Sequence, residues 1–477
     1  MNILMSILNF FSNNILTKPE FFIGLIVVIG YILLRKKWYE VFSGFIKATV
    51  GYMLLNIGSG GLVDTFRPIL AGLNTRFHLN AAVIDPYFGL NAVDAGLKSI
   101  GIAVSYTMIS LIIGFAWNLL LLIFRKFTKV RTLFVTGHIM VQQATTATWI
   151  IFMAFPNLRN GYGAAIVGVL VGTYWAVFTN LTVEATQNLT DNAGFAVGHQ
   201  QMLGIWIADK IADKIGDKKK SVENVELPGW LSMFNDNVVA TSTLMLIFFG
   251  IIMVILGKPY LMKTDSANFP VTLAFPVYIL SKALLFSVYL VVLMTGVRMF
   301  VSELTESFRG ISERVLPGSM PAVDCAATYG FGSPTTVTYG FLFGALGQFV
   351  TIIGLLIFHS PIMIIPGFVP LFFDNATIAM YANKKGGIKA ASILPFLSGI
   401  IQVLGGAFAA SFFGLYKFGG WHGNFDWDTL WPAMGVLINK LAIPGLVICF
   451  VFMLIIPQLQ YHRSQNKEKY FNTASED

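Results

Sequence analysis

The sequence predicts an all-α polytopic membrane protein. Of its 477 residues, 55% are hydrophobic and only 12% are charged, whereas about a quarter of the residues in soluble domains are charged. Uncharged runs long enough to cross a hydrocarbon core, which takes roughly 20 residues, occupy residues 99–124, 161–183, 237–257 and 335–358. Because a soluble enzyme rarely buries several such runs, we expect about eleven transmembrane helices together with re-entrant hairpins.

Basic residues follow the first and third apolar segments and predict the orientation. Residues 21–34 lack the basic region and cleavage site of a signal peptide, and Arg35, Lys36 and Lys37 come directly after them. Further basic residues lie at 125–131 and in the tail at 463–469. Since positive residues favour the cytoplasmic side, we expect the N-terminus outside and the C-terminus in the cytoplasm, which requires an odd number of spans.

Composition also limits the function classes. The net charge of +8 is explained by basic loops facing the cytoplasm, so it does not indicate a nucleic-acid partner. Cys325 and Cys449 lie in apolar surroundings and are predicted to be small buried residues. The sequence has no phosphate-binding loop, zinc-ligand spacing or serine nucleophile motif. We therefore expect no cofactor, no metal and no covalent catalytic residue in this chain.

Residues 209–226 form the only long polar stretch and divide the chain into two parts of similar length. Acidic residues at 209, 213 and 217, each followed by a lysine, have helical spacing and predict a short solvated helix before Pro228. Such a loop between two halves is typical of transporters built from two repeats.

Two short motifs recur at one common spacing and favour an internal duplication. Asp191-Asn192-Ala193 is echoed by Asp374-Asn375-Ala376, and Arg131 by Arg314. The relation between the repeats depends on residues 299–316, which are too charged to span the membrane in contact with lipid. If this segment lies flat, the repeats are parallel; if it crosses while buried in protein, they are inverted.

Polar residues within apolar segments indicate where a solute could bind. A charge at mid-bilayer costs roughly 2.5–3.5 kcal/mol, so such residues normally face a cavity or a partner. His138 and Gln142 are four residues apart and share a helix face, and His199-Gln200 follows Gly198. The alternative for each is polar contact between helices. His422, by contrast, is placed at a span edge.

Helix-breaking residues occur beside these polar groups. Residues 317–334, with prolines and Gly-Ser-Pro at their ends, predict a re-entrant hairpin that carries Asp324. Glycines at 56–61 predict a broken helix end ahead of Asp85-Pro86-Tyr87, with a tight loop as the alternative. Broken segments in both halves point to a substrate site. The residues alone thus predict a transporter for a small polar solute. One alternative is an ion-coupled carrier that uses Asp324 and His199 as a proton relay. Another is a channel or a structural scaffold.

Longer strings resemble one known family. They are TGHIMVQQ (136–143), GFAVGHQQ (194–201), ELPGWLSMFNDN (226–237), GVRMFVSELTESFRGIS (296–312), AVDCAATY (322–329) and IIPGFVPLFFDNATI (364–378). Together they resemble the ascorbate-specific permeases of the bacterial phosphotransferase system, that is, their membrane-embedded enzyme IIC. The similarity extends from residue 31 to the final span, and such long collinear strings are far more specific than a short motif.

The resemblance implies uptake of L-ascorbate and its release in the cytoplasm as the 6-phosphate. The phosphoryl group would come from phosphoenolpyruvate through enzyme IIA and the cysteine of enzyme IIB. Neither carrier is recognised in this chain, so both are expected to be separate partners, with residues 209–226 and the basic turn near Arg125 as candidate docking surfaces. The resemblance further implies a homodimer in the lipid bilayer of the bacterial inner membrane, inverted repeats and an elevator-type movement.

The family architecture implies a core domain and a scaffold of V-shaped helix pairs. On this chain it predicts scaffold helices at 1–57 and 228–298, core repeats at 58–208 and 299–415, a cytoplasmic loop at 209–227, a final span at 416–458 and a cytoplasmic tail at 459–477.

The family's sugar-contact motif falls on eleven residues of this chain. They are Pro86, Tyr87, Thr136, Gly137, His138, Ile139, Met140, Gln142, His199, Gln200 and Asp324. Ascorbate is an anion near neutral pH, so an ionised Asp324 beside it would repel it. Three possibilities stay open: Asp324 accepts hydrogen bonds from remote hydroxyls, it is protonated, or a charged His138 or His199 offsets it.

Overall fold

The computed structural model describes residues 19–77, 80–225, 228–315, 319–464, 466–467 and 470–471. The start of the predicted scaffold, the first residues of the predicted hairpin and the end of the tail lie outside these ranges. The described helices are α1 (Pro19–Leu33), α2 (Trp38–Phe77), α3 (Pro86–Ser99), α4 (Ser105–Ile123), α5 (Arg125–Thr128), α6 (Gly137–Ala154), α7 (Gly161–Thr190), α8 (Met202–Ile215), α9 (Asn237–Leu256), α10 (Lys258–Thr264), α11 (Phe275–Val315), α12 (Pro334–Ile357), α13 (Asn375–Phe412), α14 (Phe425–Asp428), α15 (Leu430–Leu441) and α16 (Ile443–Arg463). The described strands are β1 (Asn80–Ile84), β2 (Thr132–Phe134), β3 (Ala196–Val197), β4 (Met320–Val323), β5 (Ile362–Pro366) and β6 (Gly420–Trp421).

The helices confirm a polytopic helical membrane protein. All four uncharged runs lie on helices, namely α4, α7, α9 and α12. Among the described residues six helices are long and apolar enough to span a bilayer, or seven if the bent pair Met245–Leu256 and Lys258–Thr264 forms one span. The eleven predicted crossings are therefore not confirmed.

The two longest helices, α2 and α11, pack against each other. The glycines at 56–61 were predicted to break a helix, but α2 runs through them without interruption. Of these, Gly61 serves close packing: a Cβ on Gly61 would lie 2.2 Å from the ring of Tyr289, and one on Gly296 in α11 would lie 2.5 Å from the carbonyl oxygen of Gly51. Small residues let helices approach closely where lipid supplies no hydrophobic drive for association.

We expect Gly61→Ala to lower the thermal stability of the protein in detergent, because the added methyl group overlaps the Tyr289 ring and overpacking costs about 1–3 kcal/mol. Gly60→Ala is the matched control, since its Cβ would meet no atom within 4 Å. Equal melting temperatures for the two variants would contradict close packing at Gly61.

Residues 299–315 continue α11 and are not a separate segment. Glu303 in this part of the helix is only 8% exposed; it accepts a hydrogen bond from Tyr31 and pairs with Lys47 at 3.1 Å. This charged residue thus lies against protein, as the crossing alternative requires. The predicted domain boundaries at 57 and 298 fall inside the continuous helices α2 and α11.

Six short strands depart from the predicted all-α fold. They form two three-stranded parallel sheets with the orders β5-β1-β6 and β2-β4-β3. In each sheet the central strand comes from one half of the chain and both outer strands come from the other half. Extended backbone is tolerated at membrane depth when it is buried in protein, and pairing across the halves satisfies its N–H and C=O groups. The described part of residues 317–334, which were predicted to form a re-entrant hairpin, consists of strand β4 followed by a 3-10 helix at Cys325–Phe331.

The short motifs that suggested a duplication occupy unequal positions. Asp191 ends α7 in the left-handed region, with φ of 50°, and its side chain is 87% exposed. Asp374 is fully buried ahead of α13. Arg131 precedes β2, whereas Arg314 belongs to the last turn of α11. What does recur is the order of elements. The first half has α2, β1, α3, α4 and β2, with the short α5 before β2, and the second half has α11, β4, the 3-10 helix at Cys325–Phe331, α12 and β5.

The solvated helix predicted within 209–226 is wrong in its bounds and only partly right in its environment, because Asp213 and Lys214 are exposed whereas Asp209 is buried. Helix α8 ends at Ile215, and its Asp209 is buried and pairs with Lys385 at 2.6 Å. The following turn contacts α13 at a kink, where Gly387 has a φ of 59° and the N–H of Ile388 donates to the carbonyl of Lys220 at 2.7 Å. The described part of this stretch is thus attached to α13.

Candidate functional site

The site is assembled where the strands of one sheet end. Within β2-β4-β3 all strands are parallel, so their carboxyl ends lie at the same edge. Thr136, Gly137 and His138 follow β2, His199 and Gln200 follow β3, and Asp324 follows β4. Residues that are far apart in the chain therefore meet at one edge.

The second sheet contributes residues in the same way. Asp85, Pro86 and Tyr87 follow β1, and His422 follows β6. The Nε2 atom of His422 lies 2.8 Å from Oε1 of Gln200, and the Tyr87 side chain contacts Gln142. The carboxyl ends of the two sheets thus converge on one polar cluster, between α3, α6 and the segments after β3 and β4.

An acid–imidazole pair lies at the more accessible part of the cluster. Nε2 of His138 is 3.2 Å from Oδ2 of Asp324, whose side chain is 28% exposed. The other Asp324 oxygen accepts the N–H of Ala326 at 2.9 Å, which caps the following 3-10 helix. His199 is 2% exposed, and its Nδ1 atom lies 2.5 Å from Oε1 of Gln201. A ligand would thus meet two imidazoles and one carboxylate that already has an imidazole partner.

Three glutamines form the buried part of the cluster. Nε2 of Gln200 donates to Oε1 of Gln142 at 2.8 Å, and Nε2 of Gln143 donates to Oε1 of Gln200 at 2.8 Å. All three side chains are at most 2% exposed. Buried amides keep a defined orientation only when their partners are fixed, so this network presents oriented donors and acceptors.

The other predicted site residues differ in their surroundings. Pro86 is the first residue of α3, after Asp85, whose carboxylate accepts the N–H of Tyr87 at 2.9 Å and of Val369 at 3.1 Å. The Thr136 hydroxyl lies 3.4 Å from the carbonyl of Ala322, and Gly137 begins α6. Ile139 and Met140 are at most 1% exposed and belong to the hydrophobic core. The structure thus brings the polar candidates together, while these two side chains pack in the core.

Sequence reasoning missed His422 as a member of the cluster, and it counted Gln143 among the donors and acceptors of residues 136–143 without including it in the predicted site. His422 was placed at a span edge, yet it is fully buried and bonded through Nδ1 to the Thr146 hydroxyl at 2.7 Å. A signal was available, because His422 opens the polar string HGNFDWD in an otherwise apolar region. The same part of the fold buries three carboxyl groups, those of Asp374, Asp426 and Asp428. A carboxylate buried in an apolar segment needs polar partners, so this string indicated a polar interior around His422.

Three potential metal ligands also meet here. His199, Asp324 and Cys325 each offer one ligand atom, and these atoms lie within 4.8 Å of one another. The sequence could not predict this group, because His199 follows β3 whereas Asp324 and Cys325 follow β4. Both cysteines are free and buried, as predicted. Zinc bonds of roughly 2.0–2.3 Å require the ligand atoms to lie closer together than a separation of up to 4.8 Å guarantees. Asp324 is also paired with His138. These side chains therefore suit a polar organic ligand at least as well as a metal ion.

The chain matches the family model described as "PTS system sugar-specific permease component" (EIIC-GAT) over residues 14–428. This match covers most of the chain and includes every predicted site residue. The chain belongs to this family. The family similarity predicted from sequence strings is thereby confirmed.

A curated relative of this permease agrees with the family match. The chain is 35% identical over 441 residues to the "Ascorbate-specific PTS system EIIC component" of Mycoplasma pneumoniae (strain ATCC 29342 / M129 / Subtype 1). The aligned region covers 84% of this permease and 66% of the relative, so this chain spans a little under two thirds of the relative's length. The family match and the helices together make the chain a multi-pass membrane protein of the PTS sugar-specific permease family.

Proposed function

We propose that this permease binds L-ascorbate and carries it across the bacterial cytoplasmic membrane, coupled to its phosphorylation to ascorbate 6-phosphate by separate enzyme IIB and IIA proteins. The single observation that carries the proposal is the polar cluster at the strand ends. It gathers Tyr87, His138 and Gln142 with His199, Gln200 and Asp324 in a chain that is otherwise apolar. The printed name of the relative supports ascorbate as the substrate.

The chemistry of the cluster suits a small lactone that carries hydroxyls and an ionised enediol. Amide and imidazole groups can donate to the enediol oxygens, and carboxylate and amide oxygens can accept from hydroxyls. The charge conflict raised by Asp324 is reduced because His138 holds one of its oxygens and a backbone N–H holds the other. We infer that Asp324 contacts the ligand through hydroxyls, with the enediol lying towards the amides.

The transport step is inferred to be of the elevator type. The repeated order of elements and the interlocked sheets support two repeats, with core residues 58–208 and 299–415 moving as one unit. Helices α2 and α11 continue through the boundaries at 57 and 298, so they would connect this core to a scaffold that forms the homodimer. No residue of this chain carries the phosphoryl group in the proposal; the permease presents the ligand hydroxyl to enzyme IIB.

Binding by the purified permease tests the substrate. Calorimetric titration with L-ascorbate, compared with a panel of hexitols and pentitols, is expected to give saturable binding for ascorbate alone. Uptake into proteoliposomes then tests the coupling, because accumulation should require enzymes IIA and IIB with phosphoenolpyruvate. Accumulation driven by a proton gradient without these partners would favour the alternative, a proton-coupled secondary transporter of an organic anion or polyol.

Enzyme IIB is proposed to dock on the exposed lysines near 209–226. Lys214, Lys218 and Lys219 are exposed, and charges at the rim of an interface mainly set the association rate. Reversing all three to Glu should lower phosphorylation-coupled uptake by about fivefold or more, while ascorbate affinity stays unchanged. Lys98→Glu, at the exposed end of α3, is the control. Unaltered uptake in the triple variant would show that this surface does not bind the partner.

A further inference from the structure

The three glutamine amides form a chain of hydrogen bonds that runs from donor to acceptor in one direction. Two neighbouring groups, an indole N–H and a backbone carbonyl, determine this direction. An indole N–H can only donate and a backbone carbonyl can only accept. Nε1 of Trp175 lies 2.6 Å from one end of the Gln143 amide, and the carbonyl of His199 lies 3.1 Å from the other end. The first end must be the oxygen and the second the nitrogen, so the orientation of Gln143 follows from chemistry and not from a choice between similar atoms.

The orientation of Gln143 determines those of the next two amides. Its nitrogen donates to Gln200, which therefore presents Oε1 at that contact and Nε2 to Gln142. Gln142 must then accept through Oε1, which leaves its Nε2 as the donor that it can offer to Tyr87, whose side chain it contacts, or to a ligand. Reversing any one amide would place two donors or two acceptors against each other, which costs about 1–3 kcal/mol for a buried group.

His422 strengthens the same direction. Its Nε2 lies 2.8 Å from Oε1 of Gln200, an atom that can only accept, so Nε2 carries the proton. In the neutral ring Nδ1 then accepts from the Thr146 hydroxyl, 2.7 Å away. Gln200 thus receives two hydrogen bonds on its oxygen and its nitrogen is left for Gln142.

We propose that Trp175, Gln143 and His422 are positioning residues that fix the direction of this hydrogen-bond chain, so that Gln142 offers N–H donors and the site selects a ligand oxygen carrying negative charge. The inference rests on the proposed function and specifies its substrate class as an enolate-type anion. Hydrogen bonds to an ionised oxygen are roughly twice as strong as those to a neutral one. A neutral sugar lactone, with hydroxyls on saturated carbons in place of the enediol, gains less from the same donors.

Comparing the affinities of two probe ligands distinguishes a positioning role of these residues from a merely structural one. The probes are L-ascorbate and L-gulono-1,4-lactone, which has a similar ring without the ionisable enediol, titrated into the full-length protein in detergent. Gln143→Leu removes the relay but keeps a similar volume, and should raise the ascorbate Kd by about tenfold, with the lactone Kd changed less than about twofold. Trp175→Phe removes only the first donor and should raise the ascorbate Kd by about threefold.

Matched controls come from buried residues with the same chemistry outside the chain of bonds. Trp149→Phe removes an indole that donates to the carbonyl of Phe413, and Gln348→Leu removes an amide bonded to Gln402. Both should leave the ratio of the two affinities unchanged. If Gln143→Leu does not fold, the milder Trp175→Phe decides.

Each remaining outcome has one meaning. Equal weakening of both probes, or no change for either, would overturn the positioning role while leaving the proposed function intact. Failure of the unaltered protein to bind ascorbate would remove the proposed function and, with it, this inference.

Discussion

Asp324→Asn is expected to weaken ascorbate binding by about tenfold, the effect of losing one hydrogen bond to a charged group. The carboxylate accepts at both oxygens, from the His138 ring at 3.2 Å and from the N–H of Ala326 at 2.9 Å. An asparagine can accept at only one of these contacts and presents an NH₂ group at the other. Either the cap of the 3-10 helix or the position of His138 is lost.

Calorimetric titration of the variant with L-ascorbate checks this expectation. Asp191→Asn is the control, because Asp191 is exposed and lies outside the cluster. An unchanged Kd in Asp324→Asn would remove Asp324 from the site, and tighter binding would show that its charge repels the anion in the bound state.

Asp374→Asn is expected to destabilise the protein by about 1–2 kcal/mol, because a neutral amide replaces a charged acceptor in buried hydrogen bonds. The buried carboxylate accepts only from donors: the Asn424 amide at 2.7 Å, the Phe425 N–H at 2.9 Å and the Gln402 amide at 3.2 Å. Gln402 cannot turn over without losing the bond that its oxygen accepts from Gln348, so an asparagine at position 374 keeps its oxygen towards Phe425 and Gln402. Its NH₂ group then faces Asn424, which can turn over and accept through Oδ1, an atom with no hydrogen-bond partner in the described structure.

The melting temperature in detergent measures this effect, and Asp191→Asn is again the matched control. The two aspartates share the motif Asp-Asn-Ala, but Asp191 is exposed and asparagine tolerates its left-handed backbone. Similar melting temperatures for the two variants would contradict the buried acceptor role of Asp374.

Several features were predictable from composition and local pattern. The uncharged runs predicted α4, α7, α9 and α12, and long collinear strings predicted the family. Polarity within apolar segments predicted His138, Gln142, His199, Gln200 and Asp324, which the fold does bring together. The helices and the family are confirmed because each depends on local sequence. The binding role of the polar residues stays a prediction, which rests on the cost of placing polar groups in hydrocarbon.

Other predictions failed because they needed partners that are remote in the chain. A run of two to five residues has no strand periodicity of its own, so six strands paired across the halves could not be recognised. Glycines at 56–61 were interpreted as breakers, although the helix continues through them and Gly61 admits the Tyr289 ring from α11. Identical Asp-Asn-Ala triplets suggested equivalent positions, but Asp191 is exposed at the end of a helix and Asp374 is buried ahead of one.

The amino-acid sequence by itself determined that this chain is a helical membrane protein of the PTS sugar-specific permease family, because hydropathy and family-specific strings are properties of neighbouring residues. Only the tertiary structure decided which polar residues act together. Parallel pairing across the halves puts the carboxyl ends of β2, β3 and β4 at one edge, and the second sheet brings His422 and Tyr87 to the same cluster. The direction of the amide chain likewise depends on Trp175, a residue in α7 that no local pattern connects to Gln142.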